Sequence, residues 1–92
     1  MQSSARVIVT GKVQGVGYRA FVVRQATALG MDGWVRNRRD GSVEAVIAGD
    51  PAKRAQLLAR LRVGPSHARV TDVQSSSDDE EVVAGFEVRP TA

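Results

Sequence analysis

Ninety-two residues, 42% of them hydrophobic, provide enough apolar surface for one folded domain, predicted here over residues 1–92, but not for a second one. The chain has no cysteine, which excludes a disulfide framework and a thiolate metal site and agrees with a reducing cytoplasm. The net charge is +3, and because eleven of the 13 basic residues are arginine, whose planar fork suits phosphate, the composition points mildly to anionic ligands.

The first third of the chain predicts a strand, a glycine-rich loop and a helix. Residues 1–10 lack the charged start and the apolar core of a signal peptide, and their β-branched segment Arg6–Thr10 predicts a strand. Residues 11–17 are punctuated by glycine and predict a loop. Apolar residues then recur at three- and four-residue steps, which predicts a helix that ends near Gly30. Its expected buried face consists of Tyr18, Phe21, Val22, Ala26 and Leu29.

The next segment predicts a β-hairpin. Trp34–Arg38 and Ser42–Ala48 have the composition of strands, and the pair Asp40-Gly41 between them is a strong turn signal. Trp34 alternates with Val35 along its strand, so the two side chains should lie on opposite faces of the sheet. We expect Trp34 to be a packing residue and not a surface for ligand stacking.

The last part of the chain predicts one more helix and two more strands. Asp50 and Pro51 suit the N-cap and the first position of a helix, and Gly64-Pro65 ends it. Residues 69–75 and 86–88 predict strands, whereas the acidic segment Ser75–Glu81 between them is expected to be a solvated loop. The expected buried stripe of this helix is Ala55, Leu58 and Leu61.

The order of these elements is that of an α+β, ferredoxin-like βαββαβ sandwich with a short extra C-terminal strand. It predicts an antiparallel sheet with both helices on one face. The first two strands are parallel to each other, because each is antiparallel to the third strand between them. Their C-terminal ends therefore meet at one edge, which brings the glycine-rich loop to within roughly 10 Å of Asn37.

The loop and the start of the first helix form a candidate anion-binding site, made of Gly15, Val16, Gly17, Tyr18 and Arg19. Glycine allows the main chain to approach a ligand, and successive N–H groups before a helix N-terminus form an anion cradle. The Arg19 guanidinium would add a charged, bidentate donor. The spacing fits equally well a turn that only connects strand to helix, because short glycine-rich loops are weak signals.

The other polar residues carry weaker signals. Asn37 alone fits a turn residue better than a ligand-binding residue. The single histidine, His67, lies in a predicted loop and is assigned no role, and the role of Gln14 stays open. With one histidine, no cysteine and no compact carboxylate cluster, the sequence predicts neither a metal site nor any other cofactor.

Two segments resemble the signatures of the acylphosphatase family. Residues 9–19, VTGKVQGVGYR, closely resemble the first signature, and residues 33–37, GWVRN, followed by Gly41-Ser42-Val43, resemble the second. The similarity continues to residues 85–88, and two motifs in the right order are far more specific than either alone. The one clear departure is Tyr18, where the family usually has phenylalanine; both side chains are aromatic and should face the core.

The resemblance implies a hydrolase that cleaves the carboxyl–phosphate bond of small acyl phosphates into carboxylate and inorganic phosphate. It implies Arg19 and Asn37 as catalytic residues, with Arg19 and the loop holding the phosphate and Asn37 positioning a water for in-line attack. No metal is expected to take part. The expected partners are the acyl phosphate and the product phosphate; we expect a monomer that binds neither nucleic acid nor a membrane.

The predicted fold also occurs with two other classes of function. RNA-binding modules of this fold stack bases on aromatic residues of the central strands. The predicted central strands, Arg6–Thr10 and Ser42–Ala48, contain no aromatic residue, which counts heavily against this class. A non-catalytic anion-binding or interaction module of the same fold is harder to dismiss, because a fold alone does not prove turnover. The retention of both Arg19 and Asn37 favours an enzyme.

Overall fold

A computed structural model describes residues 4–92 of the protein, and its elements follow the predicted order. The part of the signal-peptide prediction that concerns residues 1–3 lies outside the described residues. The α+β ferredoxin-like fold with an extra C-terminal strand is confirmed. Its elements are β1 (Ser4–Lys12), α1 (Tyr18–Ala28), β2 (Asp32–Asn37), β3 (Val43–Ala48), α2 (Pro51–Val63), β4 (Arg69–Asp78) and β5 (Phe86–Val88).

The five strands form one sheet in the order β4-β1-β3-β2-β5. β1 pairs antiparallel with β3 and β4, and β2 pairs antiparallel with β3. The predicted parallel orientation of β1 and β2 around a central β3 is therefore confirmed, and both strands end at the same edge of the sheet. The extra strand β5 differs from the predicted antiparallel arrangement, because it pairs parallel with β2 and makes the complete sheet mixed.

The hydrophobic core lies between one face of the sheet and the two helices. Val7 of β1, Val35 of β2 and Ile47 of β3 are fully buried there. The predicted face of α1 is confirmed, although Phe21 is only partly buried. The stripe predicted for α2 is confirmed at Leu61, which is buried, and in part at Leu58, which is partly buried. It is wrong at Ala55, which is exposed, whereas Leu57 is buried. Residues four apart share a helix face more closely than residues at repeated three-residue steps.

The predicted helix boundaries agree with the structure. Asp50 is the N-cap of α2 and its Oδ1 accepts a hydrogen bond from the Ala52 N–H at 3.3 Å, with Pro51 in the first helical position. Gly30 follows the end of α1 as expected. Within residues 4–92, no helix is long and apolar enough to cross a membrane.

The acidic segment Ser75–Glu81 is only in part the solvated loop that its composition suggests, because residues 79–81 alone lie outside any strand. Its first part, up to Asp78, continues β4 and pairs with β1 as far as Ser4. Asp78 and Glu80 then form ion pairs with Arg6 at 2.9 and 3.3 Å. The prediction failed for the strand part because main-chain pairing with β1 satisfies a polar strand as well as an apolar one, and Arg6 of β1 supplies a counter-charge.

Charged side chains cover the sheet face that lies opposite the helices. Trp34 lies on this face and is only 1% exposed, because the guanidinium groups of Arg36 and Arg89 lie 4.7 and 4.5 Å from its ring centroid. Its Nε1–H donates a hydrogen bond to Glu80 Oε2 at 2.6 Å. The prediction that Trp34 packs, on the face opposite Val35, is therefore confirmed.

Candidate active site

The predicted site residues meet in a cleft at the sheet edge where β1 and β2 end. The cleft has a volume of about 310 Å³. Of the six residues predicted for the site, Val16 alone is not among those that line it; it borders a neighbouring groove. The lining residues are Val13, Gly15, Gly17, Tyr18, Arg19, Ala20, Asn37 and Val88.

The loop before α1 contains two glycines in a left-handed backbone conformation. Gly15 and Gly17 have φ angles of 73° and 78°, in the left-handed region, and a Cβ atom at either position would meet no atom within 4 Å. Glycine is therefore needed here for backbone conformation and not for space. Gly17 is the N-cap of α1, and no side chain caps the helix. The N–H groups of residues 18–20 have no intrahelical acceptor and can donate hydrogen bonds to an anion.

Arg19 brings a positive charge to the first turn of α1, which contains no acidic residue. Its side chain lines the cleft and is half-buried. Arg6, Arg36 and Arg89 form ion pairs with carboxylates, whereas no carboxylate of residues 4–92 forms one with Arg19. The Arg19 fork and the α1 N-terminus together favour a phosphoryl group in the cleft.

Asn37 is the last residue of β2 and faces Val43 of β3 in the strand register. Its main-chain carbonyl accepts a hydrogen bond from the Ala92 N–H at 3.0 Å, so the backbone of Asn37 is bound both to β3 and to the C-terminal residue. The side-chain Oδ1 is buried and has no hydrogen-bond partner within residues 4–92. A buried acceptor without a donor is costly, so this oxygen is suited to accept a hydrogen bond from a water molecule.

Gln14 joins the loop to the β2–β3 turn. Its Nε2 donates hydrogen bonds to the main-chain oxygens of Arg38 at 2.7 Å and Ser42 at 2.9 Å. The sequence left the role of this residue open. The one available signal is its position directly before Gly15, and its two acceptors lie in a different part of the chain.

Apolar residues that the sequence did not single out complete the cleft. Val13 belongs to the loop and is buried, Ala20 lies in the first turn of α1, and Val88 is 49% exposed. Val88 reaches the cleft because β5 pairs parallel with β2, with Val88 opposite Val35. Val13 could have been found from its place in the loop, whereas Val88 depends on a pairing that no local pattern indicates.

His67 lies outside the cleft. It is exposed and lines a second groove of about 480 Å³, together with Lys12, Gln14, Gly15 and Val16. Among the residues that the structure describes, no group of three or more histidine, cysteine or acidic side chains could hold a metal ion. The prediction of a metal-free site stays a prediction.

Comparison with known proteins identifies the acylphosphatase family by sequence, and solved structures of acylphosphatases share the fold. The acylphosphatase family profile matches residues 5–88. An acylphosphatase of Rhodopseudomonas palustris is 60% identical over 76 residues, which cover 80% of this chain and 77% of that protein. Acylphosphatase 2 of Ralstonia nicotianae is 51% identical over an alignment that covers 99% of both chains. The crystal structure of acylphosphatase from Bacillus subtilis superposes with a TM-score of 0.90 at 33% identity, covering 95% of this chain and 98% of that one.

Proposed function

This chain belongs to the acylphosphatase family and is a hydrolase of acyl phosphates, and we propose that Arg19 and Asn37 are its catalytic residues in a direct, metal-independent attack of water on phosphorus. The observation that carries the proposal is the juxtaposition in one cleft of the uncapped α1 N-terminus, Arg19 and Asn37, whose Oδ1 is buried without a partner.

In this proposal the loop and Arg19 hold the phosphoryl group. The N–H groups at the start of α1 and the Arg19 fork donate hydrogen bonds to the phosphoryl oxygens. The same donors stabilise the charge that these oxygens carry in the transition state, where phosphoryl transfer depends mainly on positioning and electrostatics. Gly15 and Gly17 keep the main chain in the conformation that this cradle needs.

Asn37 orients the attacking water through its side-chain oxygen. A new bond forms between the water oxygen and phosphorus while the bond between phosphorus and the acyl oxygen breaks, in line with each other. The carboxylate leaves with the bonding electrons and needs no proton from a general acid. Asparagine is not a base, so the proton of the water passes to an oxygen of the phosphoryl group. The preference for small acyl groups, the monomeric state, the cytoplasmic location and the lack of nucleic-acid binding stay predictions.

The test is the kinetic separation of Arg19 from Asn37, measured on benzoyl phosphate in EDTA. Asn37→Ala should lower kcat by a factor on the order of 10²–10³, which is the effect of removing one donor from an oxyanion hole. The inhibition constant for inorganic phosphate should stay nearly unchanged. Arg19→Ala should weaken phosphate inhibition as well as turnover. Arg24→Ala is the matched control, because Arg24 lies on the same helix but does not line the cleft.

Each part of the proposal has an outcome that contradicts it. Full activity of Asn37→Ala would remove Asn37 from the mechanism. Loss of the cooperative unfolding transition in the melting curve of Asn37→Ala would make Asn37 a structural turn residue. Activity that EDTA abolishes and a divalent ion restores would refute the metal-independent mechanism. Similar rates on simple alkyl phosphates, whose leaving groups need a proton, would mean that the site contains an acid.

A further inference from the structure

One side-chain amide connects the two halves of the candidate site. Gln14 precedes Gly15 in the anion-binding loop, and its Nε2 reaches the Arg38 carbonyl 24 residues away at 2.7 Å and the Ser42 carbonyl 28 residues away at 2.9 Å. Arg38 directly follows Asn37. The two hydrogen bonds therefore fix the position of the loop relative to the strand end that carries Asn37.

The β2–β3 turn does not depend on Gln14 for its own closure. The Arg38 N–H donates to the Ser42 carbonyl at 2.9 Å, and the Gly41 N–H donates to the Arg38 carbonyl at 3.1 Å. Asp40 Oδ1 accepts hydrogen bonds from the Ser42 N–H at 2.9 Å and from its hydroxyl at 2.6 Å. Both carbonyls that Gln14 contacts thus keep a main-chain partner without it. What Gln14 adds is a connection between the turn and the loop.

We propose that Gln14 is a positioning residue that sets the distance and angle between the phosphoryl group in the loop and the water held by Asn37. This inference rests on the proposed function, in which the loop binds phosphate and Asn37 orients the water. In-line attack requires the water, phosphorus and leaving oxygen to be aligned, and a displacement of about 1 Å can cost on the order of 10²-fold in rate. Phosphate binding needs only the loop and Arg19.

The chemistry of the contact requires a side chain with two donors on one nitrogen. Both acceptors are main-chain oxygens, so the planar NH₂ group of glutamine can donate one hydrogen to each. Methionine has a similar length and no donor. Glutamate has nearly the same shape, but its carboxylate would face two carbonyl oxygens and form neither bond. These two variants remove the connection with little change of volume.

The first experiment measures kcat, the inhibition constant for inorganic phosphate and the melting temperature of Gln14→Met and Gln14→Glu. Both should lower kcat by about 10- to 100-fold, while the phosphate inhibition constant changes by less than about twofold. Gln25→Met is the matched control. Its Oε1 accepts a hydrogen bond from Arg60 Nη1 at 2.8 Å between the two helices, away from the cleft, and kcat should not change.

A double-mutant cycle shows whether Gln14 acts through Asn37. In the Asn37→Ala background, Gln14→Met should lower kcat further by less than about twofold, because there is no longer a side chain to position. An equal effect in both backgrounds would overturn the proposal. So would an unchanged kcat of Gln14→Met, a loss confined to phosphate binding, or the unfolding of both Gln14 variants. A fully active Asn37→Ala would instead defeat the proposed role of Asn37, and with it the inference.

Discussion

Tyr18 stabilises the contact between the two helices through a single hydroxyl group. The ring is buried in the core, and the O–H donates a hydrogen bond to the main-chain oxygen of Leu61 at 2.8 Å. In a continuing helix this oxygen would accept from the N–H of residue 65, which is proline and has none. Burial raises the pKa of the Tyr18 hydroxyl well above its ordinary value, so the group stays a donor even at an alkaline pH at which an exposed tyrosine ionises. The departure from phenylalanine thus satisfies a carbonyl at the end of α2.

Tyr18→Phe should therefore destabilise the protein without impairing the reaction. Removing the hydroxyl leaves the buried Leu61 carbonyl without its donor, which costs about 1–3 kcal/mol of unfolding free energy. The ring still packs under the loop, so kcat and the phosphate inhibition constant should stay close to those of the wild type. Urea unfolding followed by the fluorescence of Trp34 measures the stability. An unchanged unfolding free energy would mean that water replaces the hydroxyl as donor.

At the scale of elements, ion pairs between side chains of neighbouring strands stabilise the sheet face that lies opposite the helices. Glu44 of β3 is 5% exposed and accepts hydrogen bonds from Arg36 Nε at 2.8 Å and from Arg6 Nη1. Arg36 is its direct neighbour in the β2–β3 register. Burial opposes the ionisation of Glu44, but the hydrogen bonds and charges of Arg36 and Arg6 outweigh it and lower its pKa. The carboxylate thus ties β1 and β2 to β3.

The lowered pKa of Glu44 predicts a loss of stability in acid. A carboxyl group whose pKa is lower in the folded state stabilises the fold above its unfolded pKa, near 4.5. This stabilisation is lost as the pH falls from there through the folded pKa. Glu44→Gln should lower the unfolding free energy at pH 7 by about 1–3 kcal/mol and weaken its dependence on pH below 5. Urea unfolding at a series of pH values measures both.

Glu87→Gln is the control for this prediction. Glu87 also forms an ion pair with an arginine, Arg89, at 3.4 Å, but its side chain is 55% exposed. Exposed ion pairs contribute little to the free energy of unfolding, so Glu87→Gln should change it by less than about 0.5 kcal/mol at pH 7. Equal effects of Glu44→Gln and Glu87→Gln would show that burial within the sheet network adds nothing to the Glu44 ion pairs.

In this protein the sequence predicts features that depend on contacts between neighbouring residues, and it fails for features that depend on contacts between residues far apart in the chain. The ends of α1 and α2 depend on neighbouring residues such as Gly30 and Asp50, and the structure has them where the sequence predicts them. Residues 76–78 were misassigned to a loop because their structure depends on β1, which lies about 70 residues earlier in the chain. The buried stripe of α2 was misassigned at one position, because three-residue steps back from Leu61 lead to Ala55, whereas the four-residue step leads to Leu57.

At the scale of the whole molecule, the candidate site is assembled from distant parts of the chain. The loop after β1, the end of β2 and the strand β5 each contribute lining residues to the cleft. The sequence predicted the approach of Arg19 to Asn37, because the topology alone places the ends of β1 and β2 at one edge. It did not predict the Gln14 hydrogen bonds or the position of Val88, which depend on side-chain geometry and on the parallel pairing of β5. Opening any of these elements would take the cleft apart.

Inorganic phosphate should therefore stabilise the whole fold and not only the loop. A ligand that binds the folded state alone adds RT ln(1 + [L]/Kd), which is roughly 1.4 kcal/mol at ten times Kd. For a domain of this size, each 1 kcal/mol raises the melting temperature by about 4–8 °C, so a shift of roughly 6–11 °C is expected. Arg19→Ala should lose most of this shift at the same phosphate concentration, whereas Arg24→Ala should keep it. Sodium chloride at matched ionic strength separates specific binding from screening. An equal shift in Arg19→Ala, or in chloride alone, would contradict phosphate binding in the cleft.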